Sequence, residues 1–230
     1  MDYNIDFFEV ATNLPSQDAF VIDQMSLDDW ETMLARGWRH NGMTIYRNIV
    51  DNGDNEQLHQ VMPLRYRLDK NLDWSKSQRK IWRRNHDLAF KIRPLSITDE
   101  IHQLFEQHKQ RFTYRIPESI FNFVSEYPTI PFPTFQMEIF YKDKLIAVTF
   151  IDITKYALSS TYAMFDLNES HRSLGVFTMI LEMVIGVKNN KLFHYPGYAY
   201  REPSHMDYKK RFPNCEYFDF ETSEWQAITT

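Results

Sequence analysis

The chain has 230 residues, 43% hydrophobic and 25% charged, with eighteen Phe, thirteen Tyr and only six Gly. That balance is that of an ordinary globular protein, excludes a disordered chain and leaves room for one large or two small domains. The net charge of -5 hides an asymmetry: Arg65 to Arg93 holds ten Lys or Arg against three Asp, which suits either contact with a phosphate backbone or a solvated helix face.

The opening MDYNIDFFEV has Asp2 and Asp6 where a secretory signal carries Lys or Arg, and no apolar run approaches the ~20 residues that span a bilayer. The single Cys215 excludes an internal disulfide and any cysteine-rich metal site, and its plain reading is a small buried hydrophobe. A cytoplasmic protein with no membrane partner is expected.

In chain order, SLDDWETMLAR predicts a helix capped by Ser26 and stopped by Gly37. MTIYRNIV and VMPLRYRL read as strands around the polar DNGDNEQ, together a candidate hairpin. SKSQRKIWRRNHDL predicts a short basic amphipathic helix, and Pro94 marks a break. A boundary is placed there, giving an N-terminal region over 1–93 and a C-terminal domain over 94–230. The second part opens with a helix presenting Ile97, Ile101, Leu104, Phe105 and His108 on one face, then another at PESIFNFVSEY and a Pro-rich turn. FQMEIFY, LIAVTFIDI and ALSSTYAMF follow at hairpin spacing and predict an antiparallel meander. A helix over about 172–187, a strand KLFHYP and a basic helical segment SHMDYKKRF complete the series.

SHRSLGVF reads Arg-x-x-Gly-x-Phe at a helix start, close to the (Gln/Arg)-x-x-Gly-x-(Gly/Ala) loop of acyl-CoA acyltransferases. There, unpaired N–H groups at the helix start bind a diphosphate and small residues let it approach. Arg172 and Gly175 fit this scheme. Phe177 either stands in the ligand's space or faces inwards as one of the helix's apolar residues.

The order of elements resembles the GNAT (GCN5-related N-acyltransferase) fold. The motifs are more specific: Tyr162, Phe165-Asp166, Arg172-Ser173-Leu174-Gly175, Gly197-Tyr198 and Met206-Asp207-Tyr208-Lys209 resemble the C-terminal domain of the aminoacyl-tRNA-protein transferases. GWRHNGMTIYRN, MPLRYRL and SKSQRKIWRRNHDL resemble that family's N-terminal motifs, so the similarity runs over roughly residues 7 to 213. One departure stands out. The family usually has a Cys before Leu-Pro and a Cys cluster after Tyr-Arg, whereas this chain has Ala11 before TNLP and NIVDNGDNEQLHQ after Tyr46-Arg47.

The resemblance implies an α+β, GNAT-like fold with a mostly antiparallel central sheet flanked by helices and an N-terminal α/β region packed against it. It implies transfer of an arginyl or leucyl group from aminoacyl-tRNA to the α-amino group of proteins with N-terminal Asp or Glu, marking them for degradation. Because the aminoacyl ester is already activated, alignment, proton removal and oxyanion stabilisation suffice. Asp166, Arg172, Ser173 and Tyr198 are the catalytic candidates. Asp166 either holds an amine or caps a helix, while Arg172 and the Ser173 to Gly175 N–H groups face a phosphate or the terminal ribose. Substrate-binding candidates are Tyr46, Arg47, Arg65, Tyr162, Gly175, Tyr208 and Lys209. Of these, Arg47 and Arg65 could fork an acceptor carboxylate or form surface ion pairs, and Tyr46, Tyr198 and Tyr208 could orient the terminal adenosine. Arg79, Lys80, Arg83, Arg84 and Lys210 are candidates for the tRNA backbone, joined by Lys209. His171 and His194 are candidate proton carriers. The eight His show no ligand spacing, so neither metal nor cofactor is expected. Two other readings remain open: an acyl-CoA-dependent N-acyltransferase, and a non-catalytic binder of acidic N-termini.

Overall fold

The computed structural model describes residues 17–52, 57–69 and 72–228. The N-terminal reading at Asp2, Asp6 and Ala11 lies outside these, as do Gly53 to Glu56 within the segment that replaces the family's Cys cluster.

Strand β1 (Gln17–Val21) leads to helix α1 (Leu27–Ala35), whose first turn is closed by the Ser26 hydroxyl accepting the Asp29 N–H at 3.1 Å. Trp30 and Leu34, four apart, bury the inner face. Gly37 ends this segment at φ +82, and a Cβ there would meet the Phe218 ring at 3.1 Å, so both conformation and space require glycine. Strands β2 (Arg39–Asn41) and β3 (Thr44–Asn48) complete a three-stranded sheet in the order β1-β3-β2.

The expected hairpin forms only in part. The first run divides at Ile49: β3 pairs within the small sheet, and only β4 (Val50–Asn52) pairs with β5 (Leu58–Arg67). Helix α2 (Lys76–Arg84) starts at a Ser75/Gln78 capping box, and β6 (Leu88–Pro94) follows. Helix α3 (Asp99–His108) buries Ile101, Leu104, Phe105 and His108 as expected. The helix expected at PESIFNFVSEY is instead one 3-10 turn, Ile120–Asn122, because the Phe123 carbonyl is taken by the Gly42 N–H and the Phe123 ring stacks on Tyr162.

The meander is β7 (Thr134–Tyr141), β8 (Lys144–Ile153) and β9 (Ala157–Phe165). Alternation on β8 feeds two cores: Val148 and Phe150 join the α3 cluster, while Ala147 packs with residues of helix α4 (Leu174–Lys188). Strand β10 (Phe193–Tyr200) follows, then a 3-10 turn Asp207–Arg211 where a helical segment was expected, and strands β11 (Cys215–Asp219) and β12 (Glu224–Ala227).

The large sheet has the order β12-β11-β5-β10-β9-β8-β7-β6, with β4 beside β5. The boundary expected at 93/94 falls at the end of β6, and β5 from the first region lies between β10 and β11, so strands from both sides build one sheet. All the pairings are antiparallel except that of β9 with β10, which are joined through α4 as a parallel crossover needs. That pairing covers only Phe193 to Tyr195 against Ala157 to Ser159, and β10 shifts register on β5 between His194 and Gly197. Beyond Tyr195 the two strands therefore part, and the sheet opens at Pro196 and Gly197. Among the described residues no helix is long and apolar enough to cross a membrane.

Candidate functional site

The opening between β9 and β10 lies beside the start of α4. Ser173 is left-handed, at φ 55 and ψ 48, and gives α4 no side-chain cap. The Leu174 and Gly175 N–H groups therefore have no protein acceptor among the described residues and remain available at the positive end of the helix. They border a cavity of about 430 Å³ whose walls include Ser173 to Val176, Met179, Ser160 to Ala163, Tyr208 and Lys209.

Phe177 does not stand in this cavity. It is 5% exposed, packed with Ile139, Ile146 and Leu181, and its ring centroid lies 5.9 Å from that of Trp82. The steric objection to a phosphate at this turn is thereby removed, because the position after Gly175 plus one points into the core rather than towards the ligand space.

Arg172 also differs from expectation. Its guanidinium forks Asp87 at 2.8 and 2.9 Å, its Nε donates to Glu169 at 2.8 Å, and its charge sits 4.6 Å from the Tyr141 ring centroid. With all three nitrogens engaged and 7% of the residue exposed, Arg172 anchors the turn instead of facing the cavity. The hydrogen bonds to Asp87 hold that carboxyl below its ordinary range. Asp166 likewise serves the backbone, accepting the Asn168 N–H at 2.9 Å and pairing with Lys144 at 2.6 Å. Burial would raise its pKa, but Lys144 and Asn168 outweigh this and lower it. It is the capping carboxylate of the 3-10 turn Leu167–Arg172.

The cavity floor holds a polar cluster that sequence reasoning only touched through His194. Glu182, 1% exposed, accepts the Thr149 hydroxyl at 2.8 Å and the Ser160 hydroxyl, and its carboxylate lies 2.8 Å from His194 Nε2. Ser160 Oγ is also 2.8 Å from that nitrogen, and His194 Nδ1 has no partner among the described residues. The missed signal was the lone acid in LGVFTMILEMVIGV, a helix otherwise apolar on nearly every face. His171, by contrast, is exposed and 3.8 Å from Glu169, away from this cluster.

Lys209 reaches the same region and donates to the Tyr198 carbonyl at 3.0 Å. Burial, and then the charge of Arg39, lowers its pKa to about 8. Gly197 lies against it at φ +93, a conformation that favours glycine, and a Cβ there would make only ordinary contact, 3.6 Å from Lys209 Nζ.

A second, wider cavity of about 1050 Å³ lies between the small sheet and the 121–127 segment, with Tyr46, Asp51, Arg115 and Tyr198 on its wall. Tyr46 and Tyr198 meet edge to face at 5.8 Å, and burial raises the pKa of both phenols, keeping them protonated donors at neutral pH. A pocket of about 40 Å³ lies between the two cavities, sharing Tyr46 and Tyr198 with the wide one and Ser160 and Thr161 with the narrow one. The structure thus brings together Tyr46, Tyr198, Tyr162, Ser173, Gly175, Tyr208 and Lys209.

Other expected residues lie apart from the cavities. Arg47 pairs with Asp18 at 2.8 Å, and Arg65 pairs with Glu216 at 2.7 Å between the rings of Phe193 and Trp225. Both therefore form ion pairs within the fold, the plainer of their two readings. Lys80 and Arg83 are exposed on α2, Arg79 donates to the Trp74 carbonyl at 2.6 Å, and Lys210 pairs with Asp207 at 2.9 Å. α2 is fastened to the turn before α4: Arg84 donates to the His171 carbonyl, and Asn85 donates to the Arg172 carbonyl at 2.9 Å. The basic helix is thus fixed beside the mouth of the narrow cavity.

Residues 98–219 match the family model described as "Arginine-tRNA-protein transferase, C terminus". The chain is 30% identical over 206 residues to the aspartate/glutamate leucyltransferase of Shewanella putrefaciens, covering 85% of this chain and 83% of that one. It is 26% identical to the enzyme of the same name from Nitrosococcus oceani, covering 98% and 97%. Among solved structures, the C-terminal domain of a putative lysylphosphatidylglycerol synthetase from Agrobacterium fabrum aligns with a TM-score of 0.49 at 17% identity. That alignment covers 62% of this chain, which spans about half (47%) of that one, and it is too distant to inform the chemistry. The sequence matches extend over most of the chain and include the turn, the splayed strands and the polar cluster: this protein belongs to the aminoacyl-tRNA-protein transferase family and is an aminoacyltransferase.

Proposed function

We propose that the protein transfers a leucyl group from leucyl-tRNA to the α-amino group of proteins with an N-terminal Asp or Glu. The observation that carries this reading is the meeting of two cavities at the β9–β10 opening, one for each substrate. The aminoacyl end of the tRNA occupies the narrow cavity, with its terminal phosphate or ribose at the Leu174 and Gly175 N–H groups and its backbone along the basic face of α2. The acceptor enters through the wide cavity past Tyr46 and Tyr198.

The leucyl donor is supported by the lining. Leu174, Val176, Met179 and Ala163 offer an apolar wall, and the lining carboxylate, Glu182, is committed to Thr149, Ser160 and His194, so it is poorly placed to serve an arginyl guanidinium. The names of the two leucyltransferase relatives agree. Chemically, the acceptor amine attacks the ester carbonyl, the C–N bond forms, and the C–O bond to the terminal ribose breaks as the amine's proton passes to the leaving hydroxyl. Ser160, backed by Glu182 and His194, is placed to relay that proton, and Lys209 to stabilise negative charge nearby. Tyr162 and Tyr208 wall the donor side. Arg172 and Asp166 act as positioning residues that hold the turn. An added leucine would mark the acceptor for degradation, as the resemblance implies.

The buried Phe177 favours a second reading, an acyl-CoA donor at the same turn. Labelled leucyl-tRNA, arginyl-tRNA and acetyl-CoA offered with peptides beginning Asp, Glu or Ala separate the cases. Leucine on the Asp and Glu peptides alone is expected. Product only from arginyl-tRNA or only from acetyl-CoA replaces the reading, and no product from any donor removes it.

A further inference from the structure

Neither of the arginines expected to recognise an acidic acceptor is free to do so, yet a different arginine stands at the junction of the cavities. Arg39 is 4% exposed and lines the 40 Å³ pocket. Its Nη1 donates to the Trp38 carbonyl at 2.7 Å and its Nη2 to the Leu64 carbonyl at 2.9 Å, while its Nε has no hydrogen-bond partner among the described residues. Among the described residues no carboxylate lies within ion-pair distance of it. The rings of Tyr195 and Tyr198 lie 5.1 and 5.7 Å from the guanidinium carbon.

A buried cation lacking a counter-ion is costly, and proteins normally pair it. Burial pulls the Arg39 pKa below its ordinary value despite the nearby tyrosines and Asp152. Asp152 is already bound to His40 at 2.9 Å, to the Trp30 indole N–H at 3.2 Å and to the Thr134 hydroxyl at 3.3 Å. The carboxylate raises the His40 pKa against the effect of burial, so the two form a compensated pair beside Arg39. The pocket is therefore left with the unbalanced charge of Arg39, the Lys209 charge close by behind Gly197, one unfilled N–H and room for a group the size of a carboxylate.

We propose that Arg39 determines acceptor specificity by receiving the side-chain carboxylate of an N-terminal Asp or Glu in this pocket. The inference rests on the transfer reading above and names the acidic group that reading requires. From the wide cavity the acceptor's first residue passes Tyr46 and Tyr198, its carboxylate turns to Arg39, and its α-amine is left at the Ser160 and Thr161 side, where the narrow cavity begins. Arg47 and Arg65 already have carboxylate partners and cannot supply this charge without breaking them.

The test is binding of fluorescent peptides beginning Asp, Asn, Glu and Gln to the full chain without tRNA, followed by leucyl transfer to the same peptides. The wild type is expected to prefer Asp over Asn by on the order of 100-fold, as for a buried charge pair. Arg39→Met abolishes that preference, and Arg39→Lys, which keeps the charge but not the fork, retains part of it. Equal binding of Asp and Asn peptides by the wild type overturns the proposal without any variant, as does an unchanged ratio in a folded Arg39→Met. Arg39-dependent Asp binding with no transfer from leucyl-tRNA sinks the donor reading and leaves this site standing. Transfer that ignores the Asp/Asn difference does the reverse.

Discussion

Asp87 holds Arg172 through both carboxylate oxygens, at 2.8 and 2.9 Å, across 85 residues of chain. The pair connects the segment after α2 to the turn before α4 and so ties the basic helix to the helix N-terminus. Arg172→Ala is expected to cost roughly 1–2 kcal/mol of stability, a figure discounted because Asp87 is about a third exposed. tRNA affinity falls with it through loss of alignment. Urea denaturation and a double-mutant cycle with Asp87→Asn check this: a cycle showing no coupling removes the anchoring role.

Acid should weaken the same contact. The folded pKa of Asp87 lies below its ordinary 3.8, so its stabilisation is fully present above that value and disappears as pH falls through the lower, folded one. The stability gap between wild type and Asp87→Asn should therefore be constant from pH 7 to 5 and narrow below about 4. A gap that stays the same down to pH 3 contradicts the contact.

Lys209 has the opposite pH range. Its pKa is lowered to about 8 in the fold from an ordinary 10.5, so over that interval the unfolded chain holds more protons and stability rises with pH. Denaturation midpoints measured from pH 8 to 10.5 should show this rise relative to Lys209→Met, in which the contribution is absent. Parallel curves for the two proteins count against a buried Lys209.

Glu182 sits 2.8 Å from both the Thr149 hydroxyl and His194 Nε2. Glu182→Gln keeps the shape of the side chain but removes the charge that supports a proton relay through Ser160. Single-turnover leucyl transfer should slow by about 10²-fold with tRNA affinity unchanged. A Gln variant that transfers at the wild-type rate assigns the cluster to the core alone.

Lys80 and Arg83 are exposed on α2. Replacing both with Ala should weaken tRNA binding and flatten its log–log salt dependence by about 1.5, with thermal stability unchanged. Filter binding across a salt series decides it, and an unaltered slope would move the RNA to another face.

The meander of β7, β8 and β9, the capped helices α1, α2 and α3 and the family itself were legible from local pattern. Ser26, Ser75 and Thr98 announce helix starts, and Tyr162, Gly175 and Tyr208 fall in motifs that the fold brings to one cavity. Strand β6 was missed although Leu88, Phe90 and Ile92 alternate with Lys91 and Arg93, because both faces of this edge strand are largely exposed and its basic residues continue the run of α2, and PESIFNFVSEY was misread because the N–H of Gly42, far back in the chain, takes the Phe123 carbonyl a helix would need. Charge in sequence is not charge in space: Arg172 was expected to face a phosphate, and Arg47 and Arg65 either to fork an acceptor or to form ion pairs, and each is matched to a carboxylate that only folding brings near. Glu182 is marked only as the lone acid of an apolar helix, and Arg39 carries no local mark of its importance. Patterns of period 2 or 3.6 record which face of an element is buried, whereas an unpaired buried charge is a property of everything packed around it, and that is settled only when β2, β9, β10 and α4 meet.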